Sequence, residues 1–220
     1  MLTTIAHHFP FKGIPEDLRY IYNDPDGFKQ RFANSIRLSD EGIKVFFQEL
    51  KKRGLAKDSL VIVTADHAYP MGEHGNYHLE AGYHQESFRI PFFMVWDGHL
   101  QPKKIDLAYS QMDISPTIID LLGENIGTHN FQGKSILSNK TQHPIYLIQP
   151  YAKQFSILMY PYKYRFNAKM DREHVYHLEE DPLEEKNIAG RVNETTLTEY
   201  RTYLKQIFLS QYAMEQNLFW

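Results

Sequence analysis

The strongest constraint on the fold is the apolar, β-branched run within "SLVIVTA" at residues 59–65. Such a run predicts a strand that is covered on both faces, as in a parallel sheet. Apolar residues recur at helical spacing over residues 28–53, directly before this strand, and Gly54 marks the end of that helix. A second apolar run at 90–96 and a short helix at 113–123 follow. This order predicts an α/β fold with a mostly parallel sheet flanked by helices.

The C-terminal part of the chain has a different pattern. The segments "SILMYPYKYRFN" at 156–167 and "HVYHLEE" at 174–180 predict short aromatic strands joined by turns. From about Thr195 onward, apolar residues again recur at helical spacing. We therefore predict two parts. Residues 1–150 form the α/β part, which begins with a short strand at residue 2, and residues 151–220 form a small antiparallel sheet with a terminal helix.

Composition excludes several classes of protein. The chain has no cysteine, so neither a disulfide framework nor a thiolate metal site can form. Its formal net charge is -3 without a long block of like charge, which argues against a nucleic-acid partner. The longest apolar runs span about seven residues, whereas a membrane helix needs about 20. The N-terminus lacks the basic start and long apolar stretch of a signal peptide.

Asp66 and His67 follow the first predicted strand directly, and four of the eleven histidines lie within the 18 residues from His67 to His84. Ligands of open α/β sheets collect beyond the carboxyl ends of the strands. A carboxylate oxygen together with an imidazole nitrogen suits zinc or manganese better than calcium. The pair therefore predicts a metal site. Considered alone, it leaves open that Asp66 only caps a turn.

Five segments, taken in order along the chain, carry a further signal. They are "HHFPF" at 7–11, "VIVTADHAYPMGEHG" at 61–75, "YHQESFRIPFFMVWDG" at 83–98, "SQMDISPTIIDLLG" with "FQGKSIL" behind it, and "HVYHLEEDPLEEKNIAG" at 174–190. Together they resemble the sulfatase family of the alkaline phosphatase superfamily, including its lipoteichoic-acid-synthase-like phosphoglycerol transferases. The resemblance implies an alkaline-phosphatase-like fold, of which this chain would hold a part.

The resemblance also implies roles for individual residues. Asp66 and His67 would be ligands of one divalent metal, with manganese or zinc favoured over calcium or magnesium. His8 would act in catalysis, by contacting the anionic group of the substrate or by protonating the leaving oxygen. His84 would contact the substrate. The candidates for a second metal, or for ordering the loop, are His78 and His74.

The implied function is that of a metal-dependent hydrolase or phosphotransferase acting on a sulfate or phosphate ester of a small molecule, lipid or glycan. In the family the nucleophile lies upstream of the segment that contains His8, and only seven residues precede His8 here. We therefore expect the C-terminal half of a larger enzyme, partnered by its N-terminal half and inactive alone. The expected location is extracytoplasmic, at the periplasm or cell surface, with a membrane anchor outside this chain.

Two matters stay open at the level of sequence. His67 favours phosphate esters, whereas the segment "EEDPLEEKNIAG" favours sulfate esters. Ala68 and Tyr69 also depart from the family pattern, which has glycine and commonly glutamate at these positions. The alternative interpretation is a non-catalytic metal- or anion-binding module derived from the same fold.

Overall fold

The computed structural model describes residues 6–79, 83–125, 130–137, 142–149, 154–167 and 170–216. The chain divides into two compact units, of which the first contains residues 1–65 and 91–103 and the second contains residues 66–90 and 104–220. The strand predicted from residue 2 lies outside the described residues. Among the helices of the described ranges, none has the length and apolar character needed to cross a membrane.

The first unit is built on one long helix, α1 (Gly27–Lys52), as the sequence predicts. The helix ends with two backbone hydrogen bonds of 3.0 Å, from Gly54 N–H to the Lys51 carbonyl and from Leu55 N–H to the Leu50 carbonyl. This paired closure needs a left-handed residue after the helix, and Gly54 supplies it with φ of 72°. The predicted stop at Gly54 is confirmed.

The first unit also contains strands β1 (Val61–Thr64) and β2 (Phe92–Val95), which pair antiparallel. The predicted parallel arrangement is therefore wrong for these two strands. An apolar run indicates burial but carries no information on strand direction. Parallel neighbours need a crossover connection, which is usually an α-helix. Between β1 and β2 the described residues contain no α-helix.

The second unit contains two helices and a four-stranded antiparallel sheet, whose bounds are α2 (Ile114–Leu121), β3 (Ile145–Gln149), β4 (Gln154–Met159), β5 (Tyr162–Asn167), β6 (Arg172–His177) and α3 (Glu194–Glu215). The predicted C-terminal antiparallel sheet and terminal helix are confirmed. β3 precedes residue 150 and nevertheless joins this sheet. The division of the protein into residues 1–150 and 151–220 stays a prediction.

The two faces of this sheet have different environments. On one face Ile157, Tyr164 and Val175 are at most 1% exposed and cluster with Leu197 and Tyr200 of α3. Burying each such side chain contributes about 1.5–3 kcal/mol. Successive side chains of a strand point to opposite faces. The two neighbours of Tyr164 on β5, Lys163 and Arg165, therefore lie on the other face of the sheet.

The segment around α2 that resembles the family pattern has a structural explanation. The fully buried Asp113 carboxylate accepts the Lys134 N–H at 2.7 Å and lies 3.1 Å from His143 Nε2. Gly133 passes so close that a Cβ there would lie 2.1 Å from the Met112 carbonyl oxygen. Asp113 and Gly133 therefore hold the "FQGKSIL" segment against the start of α2.

Candidate metal centre

The loop after β1 presents a carboxylate and an imidazole side by side. Asp66 Oδ1 accepts the backbone N–H of His67 at 2.9 Å, and His67 Nδ1 lies 2.8 Å from the Ala68 carbonyl oxygen. The atoms that remain are Asp66 Oδ2 and His67 Nε2, which are 3.8 Å apart. Both side chains are open to solvent, with 87% of Asp66 and 53% of His67 exposed. Gln111 Nε2 donates to the Asp66 carbonyl at 3.0 Å and so fixes the backbone of the loop.

These two atoms fit a divalent metal. Zinc binds imidazole nitrogen and carboxylate oxygen at about 2.0–2.2 Å, so two ligands of one ion are at most about 4.3 Å apart. The observed separation of 3.8 Å lies within that limit. A metal-binding histidine usually donates its other ring N–H to a carbonyl or carboxylate. The contact of His67 Nδ1 with the Ala68 carbonyl matches this arrangement and leaves Nε2 as the ligand atom. Asp66 and His67 would supply two of the four ligands of a tetrahedral metal site.

The "GEHG" segment shapes the loop that follows. Gly72 has φ of 95°, and a Cβ there would lie 2.4 Å from the Tyr77 ring. Gly75 N–H donates to the Gly72 carbonyl at 3.1 Å, and Glu73 accepts the Met71 N–H at 2.7 Å. Glu73 therefore orders this turn, and neither glycine position accepts a side chain without strain.

His74 and His84 form a second group, which we call the stacked histidine cluster together with Glu86. The two imidazole rings stack with centroids 3.6 Å apart. His74 Nδ1 lies 2.7 Å from Glu86 Oε1, and its Nε2 contacts the Leu183 carbonyl oxygen. Both partners of His74 are acceptors, so both ring nitrogens must carry a proton. The pKa of His74 is raised accordingly, because burial lowers it but the bonds to Glu86 and Leu183 outweigh burial.

His84 has the opposite electrostatic character. Burial, together with the nearby positive charges of His74 and Lys163, lowers the pKa of His84 to about 3. His84 is therefore neutral at physiological pH, beside a protonated His74. Burial thus keeps the His84 ring neutral, and hydrogen bonding keeps the His74 ring protonated.

The stacked histidine cluster also meets a simple distance criterion for metal binding. One ligand atom from each of His74, His84 and Glu86 lies within 4.8 Å of the others. A metal ligand must however offer a deprotonated nitrogen. Both nitrogens of His74 are already engaged with oxygen acceptors. The contacts therefore suit an ion pair better than a metal centre.

Close to this cluster, Lys163 of β5 forms a buried ion pair with Glu184. Lys163 Nζ is 2.8 Å from Glu184 Oε2 and 2.7 Å from the Tyr83 carbonyl oxygen. Both side chains are at most 1% exposed, and Glu184 also accepts the Gln85 N–H at 2.6 Å. Sequence reasoning missed this pair. In the motif "DPLEE" Glu184 has a positive φ of 55°, a backbone conformation that the sequence alone does not reveal.

The remaining candidates occupy other positions. His8 is an exposed residue of the first unit, with Nδ1 2.7 Å from the Phe9 carbonyl oxygen. His78 is exposed, and its backbone N–H donates to Asn76 Oδ1 at 3.1 Å. Within the described residues His78 makes no hydrogen bond or ion pair to Asp66, His67 or the stacked histidine cluster. The structure thus groups the second-unit candidates as Asp66 with His67 and His74 with His84.

Comparison with protein families gives two matches that together extend from residue 1 to residue 210. The sulfatase family model matches residues 1–124, and the model for the C-terminal region of N-sulphoglucosamine sulphohydrolase matches residues 72–210. The first match alone covers more than half of the chain. The two matches overlap at residues 72–124, in the part of the chain that holds the stacked histidine cluster.

Similar proteins include both sulfatases and lipoteichoic acid synthases. A lipoteichoic acid synthase of Staphylococcus saprophyticus is 29% identical over 62% of this chain and 22% of its own length. A choline-sulfatase of Rhizobium meliloti is 29% identical over 77% of this chain and 35% of its own length. The chain therefore spans about a fifth to a third of the length of these relatives.

The fold is also found among solved structures. The crystal structure of Ps i-CgsB matches with a TM-score of 0.74 at 20% sequence identity. The match covers 91% of this chain and 48% of that chain. The same protein has also been solved in complex with k-i-k-neocarrahexaose.

Proposed function

The chain belongs to the sulfatase family, and on that premise we propose that it serves a metal-dependent enzyme that hydrolyses or transfers a sulfate or phosphate ester. Asp66 and His67 would hold one divalent metal, with manganese or zinc favoured. The observation that carries the proposal is the open pair of Asp66 Oδ2 and His67 Nε2, 3.8 Å apart. His67 Nδ1 faces a carbonyl oxygen, which orients the ring for this role.

Each residue of the pair has a distinct task. Asp66 supplies a negative charge through Oδ2, while its Oδ1 accepts the His67 N–H and holds the two side chains in register. His67 supplies a neutral nitrogen ligand and, through Nδ1–H, keeps the ring in one tautomer. When bound, a divalent metal polarises the ester oxygens and lowers the pKa of the attacking hydroxyl. The exposure of both side chains leaves the approach of an anionic ester unobstructed on this part of the loop.

We propose that His8 contacts the anionic group or protonates the leaving oxygen. Its Nδ1 lies against the Phe9 carbonyl oxygen, so its Nε2 is the nitrogen that remains for a substrate. Protonated His8 would donate Nε2–H to the leaving oxygen, and this donation contributes about 10²–10⁴-fold in typical general-acid catalysis. His84 is a weaker candidate for substrate contact because its ring is stacked on His74 and only 12% of the side chain is exposed.

The names of the relatives support a proposal for the substrate class. Their names include a choline-sulfatase, an endo-4-O-sulfatase and a lipoteichoic acid synthase, and one structural neighbour binds a carrageenan oligosaccharide. We therefore propose an anionic ester on a glycan or lipid as the substrate, and an extracytoplasmic location as the resemblance to lipoteichoic acid synthases implies. We propose this activity for the whole protein, since the chain spans only about a fifth to a third of the length of these relatives.

Metal titration and turnover together test the proposal. Isothermal titration of Mn²⁺ and Zn²⁺ should give one site in the full-length protein, and Asp66→Ala with His67→Ala should abolish it. A matched control is Asp97→Ala with His99→Ala, which removes an exposed carboxylate and an exposed imidazole elsewhere. Aryl sulfate and aryl phosphate esters then distinguish the two ester classes. Metal binding without turnover of either ester would favour the non-catalytic binding module instead. Retention of the site in the double variant would refute the metal assignment.

A further inference from the structure

The first unit contains a cationic cleft that the proposed function does not use. The cleft has a volume of about 170 Å³. Its walls include two apolar residues, one amide and three cations, which are Phe11, Ile14, Asn34, Lys12, Arg19 and Arg31. We call this the Arg19–Arg31 cleft. Phe11 and Ile14 are 1% and 7% exposed, so they form a buried apolar floor beneath the charged groups.

Backbone hydrogen bonds hold both arginine side chains in place. Arg19 donates from Nε to the Ile14 carbonyl at 3.2 Å and from Nη1 to the Asn23 carbonyl at 2.9 Å. Arg31 donates from Nε to the Pro10 carbonyl at 3.2 Å. A guanidinium has five N–H groups. Each arginine therefore keeps further donors for a ligand, and its orientation is fixed before the ligand arrives, which lowers the entropic cost of binding.

The carboxylates of the described residues do not neutralise these cations. Within the described residues, no carboxylate oxygen lies within 4.0 Å of the charged nitrogens of Lys12, Arg19 or Arg31. Arg37 provides a contrast on the same helix as Arg31, because it pairs with Asp40 and Glu41. A concave site lined by charges of one sign concentrates ions of the opposite sign. The cleft therefore attracts an anion.

The amide of Asn34 serves the wall of the cleft rather than a ligand. Its Oδ1 accepts the N–H groups of Ile21 and Tyr22 at 3.0 Å each, and its Nδ2 donates to the Tyr22 carbonyl at 2.7 Å. These bonds fix the loop that precedes α1. Recognition of a ligand is therefore left to the three cations.

Size and position narrow the ligand further. A volume of about 170 Å³ is below the roughly 300–1,000 Å³ of pockets that enclose a drug-sized molecule. The cleft thus takes one group of a larger ligand. It also adjoins the turn of His8, since the Phe11 N–H donates to the His8 carbonyl at 2.8 Å. Two residues lie between His8 and Phe11, so their Cα atoms are three steps of chain and at most about 11 Å apart.

We propose that the Arg19–Arg31 cleft binds a second sulfate or phosphate group of the substrate, near the group that His8 contacts. This inference rests on the proposed function and names its substrate class more closely. The substrate is then an ester that carries at least two tetrahedral oxyanions, such as a multiply sulfated sugar chain or a phosphate-linked polymer. Charge-assisted bonds from two arginines and one lysine supply the recognition.

Arginine Nε–H resonances provide a direct test by NMR. Inorganic sulfate is titrated into the protein, with chloride adjusted to keep the ionic strength constant. The Nε–H signals of Arg19 and Arg31 should shift and saturate. Lys12→Gln, which changes an exposed side chain, should weaken sulfate binding at least threefold, and Lys12→Gln with Arg31→Gln at least tenfold. The matched control, Arg37→Gln, should leave binding unchanged. Shifts that do not saturate, or an equal loss in Arg37→Gln, would overturn the proposal.

A second arm distinguishes a substrate group from a free ion. A disulfated disaccharide should bind at least tenfold more tightly than the monosulfated form of the same sugar, and Lys12→Gln with Arg31→Gln should remove the difference. Equal affinity for the two sugars would mean that only a free ion occupies the cleft, which overturns the proposal. Binding is measured without metal and in the Asp66→Ala, His67→Ala variant. If the wild-type protein turns over neither ester while the cleft still binds, the result counts against the proposed function alone, and turnover by the wild type without cleft binding counts against the cleft alone.

Discussion

The second unit holds two groups of acids and histidines that differ in their surroundings. Asp66 and His67 are 87% and 53% exposed, and each keeps an atom that forms no hydrogen bond with the part of the chain that the structure describes. In the stacked histidine cluster, by contrast, the side chains of His74, His84 and Glu86 are between 12% and 19% exposed. Similar residue types thus serve opposite purposes. Residues with satisfied atoms contribute to stability, whereas residues with unsatisfied, accessible atoms are available for a ligand.

This difference has an energetic basis. A buried charge must find a partner, since an unpaired charge costs several kcal/mol. The contacts of His74 with Glu86 and of Lys163 with Glu184 meet this requirement inside the second unit. Asp66 is solvated by water, so no such requirement acts on it. Stability therefore does not require Asp66 beside His67, and the proposed metal site would give the pair a role.

The largest predicted effect concerns the exposed pair. Asp66→Ala or His67→Ala should lower turnover by the full-length protein about 10³-fold or more, because loss of one ligand removes metal stabilisation worth several kcal/mol. The melting temperature of the metal-free protein should change little, since both side chains are exposed. Steady-state kinetics and differential scanning calorimetry on the same preparations check both statements. Near wild-type turnover in either variant would show that the pair is not a metal site.

The buried pair should show the reverse behaviour. Lys163→Met leaves the Glu184 carboxylate buried without its cation, which should lower the free energy of unfolding by about 3–5 kcal/mol. Lys44→Met is the matched control, because it removes a lysine from an ion pair with Glu41 at 3.1 Å that is exposed to solvent. That change should leave the free energy of unfolding nearly unchanged. Urea unfolding measures both.

A double variant separates the effect of the lost ion pair from the effect of lost packing. Lys163→Met with Glu184→Gln removes both charges and should be less destabilised than the sum of the two single variants. Additive losses would indicate that the two side chains act through packing alone.

The sequence allows prediction of features that depend on neighbouring residues. The three helices follow from local periodicity and from glycines such as Gly54 and Gly123, which end α1 and α2 with positive φ. The closeness of Asp66 to His67 follows from their adjacency and a turn. The geometry of the Asp66–His67 pair was therefore within reach of sequence reasoning, whereas the further ligands of the proposed metal site were not.

Features that join distant residues were not predictable from local patterns. His74 meets the Leu183 carbonyl across 109 positions of sequence, and Lys163 meets Tyr83 across 80. A histidine in a glycine-bounded loop and a lysine on a strand both resemble solvent-exposed residues in sequence. The direction of β2 against β1 was mispredicted for the same reason, because strand pairing depends on how the chain between them returns.

The pH dependence of stability offers a finer test of the stacked histidine cluster. The pKa of His84 is about 3 in the folded state, against an ordinary value of 6.5. The unfolded chain therefore binds more protons between these values, and stability is full above pH 6.5 and falls as the pH decreases. From pH 7 to pH 5 this contributes a loss of about 1–2 kcal/mol. Urea midpoints for wild type should fall over this range more steeply than those for His84→Gln. Parallel curves would show that His84 is not buried in its neutral form.

The smallest effect is expected at His74, and it has the opposite sign. The pKa of His74 is raised, so its contribution is fully present below the ordinary value of 6.5 and is lost as the pH rises through the folded-state value. His74→Gln should therefore destabilise the protein more at pH 6 than at pH 9. The expected difference is about 1 kcal/mol, as for one largely buried hydrogen bond. The charged or titratable groups that face this ring are Glu86, Glu184 and His84.

Glu86→Gln provides the background that separates the ion pair from simple packing. In that background the pH dependence of His74→Gln should disappear, because the carboxylate that favours the protonated ring is gone. Unfolding by urea at the two pH values, in all four combinations, gives the coupling free energy directly. A coupling that is equal at pH 6 and pH 9 would mean that His74 is held by the Leu183 carbonyl and by stacking on His84, so that the cluster contains no protonated ring.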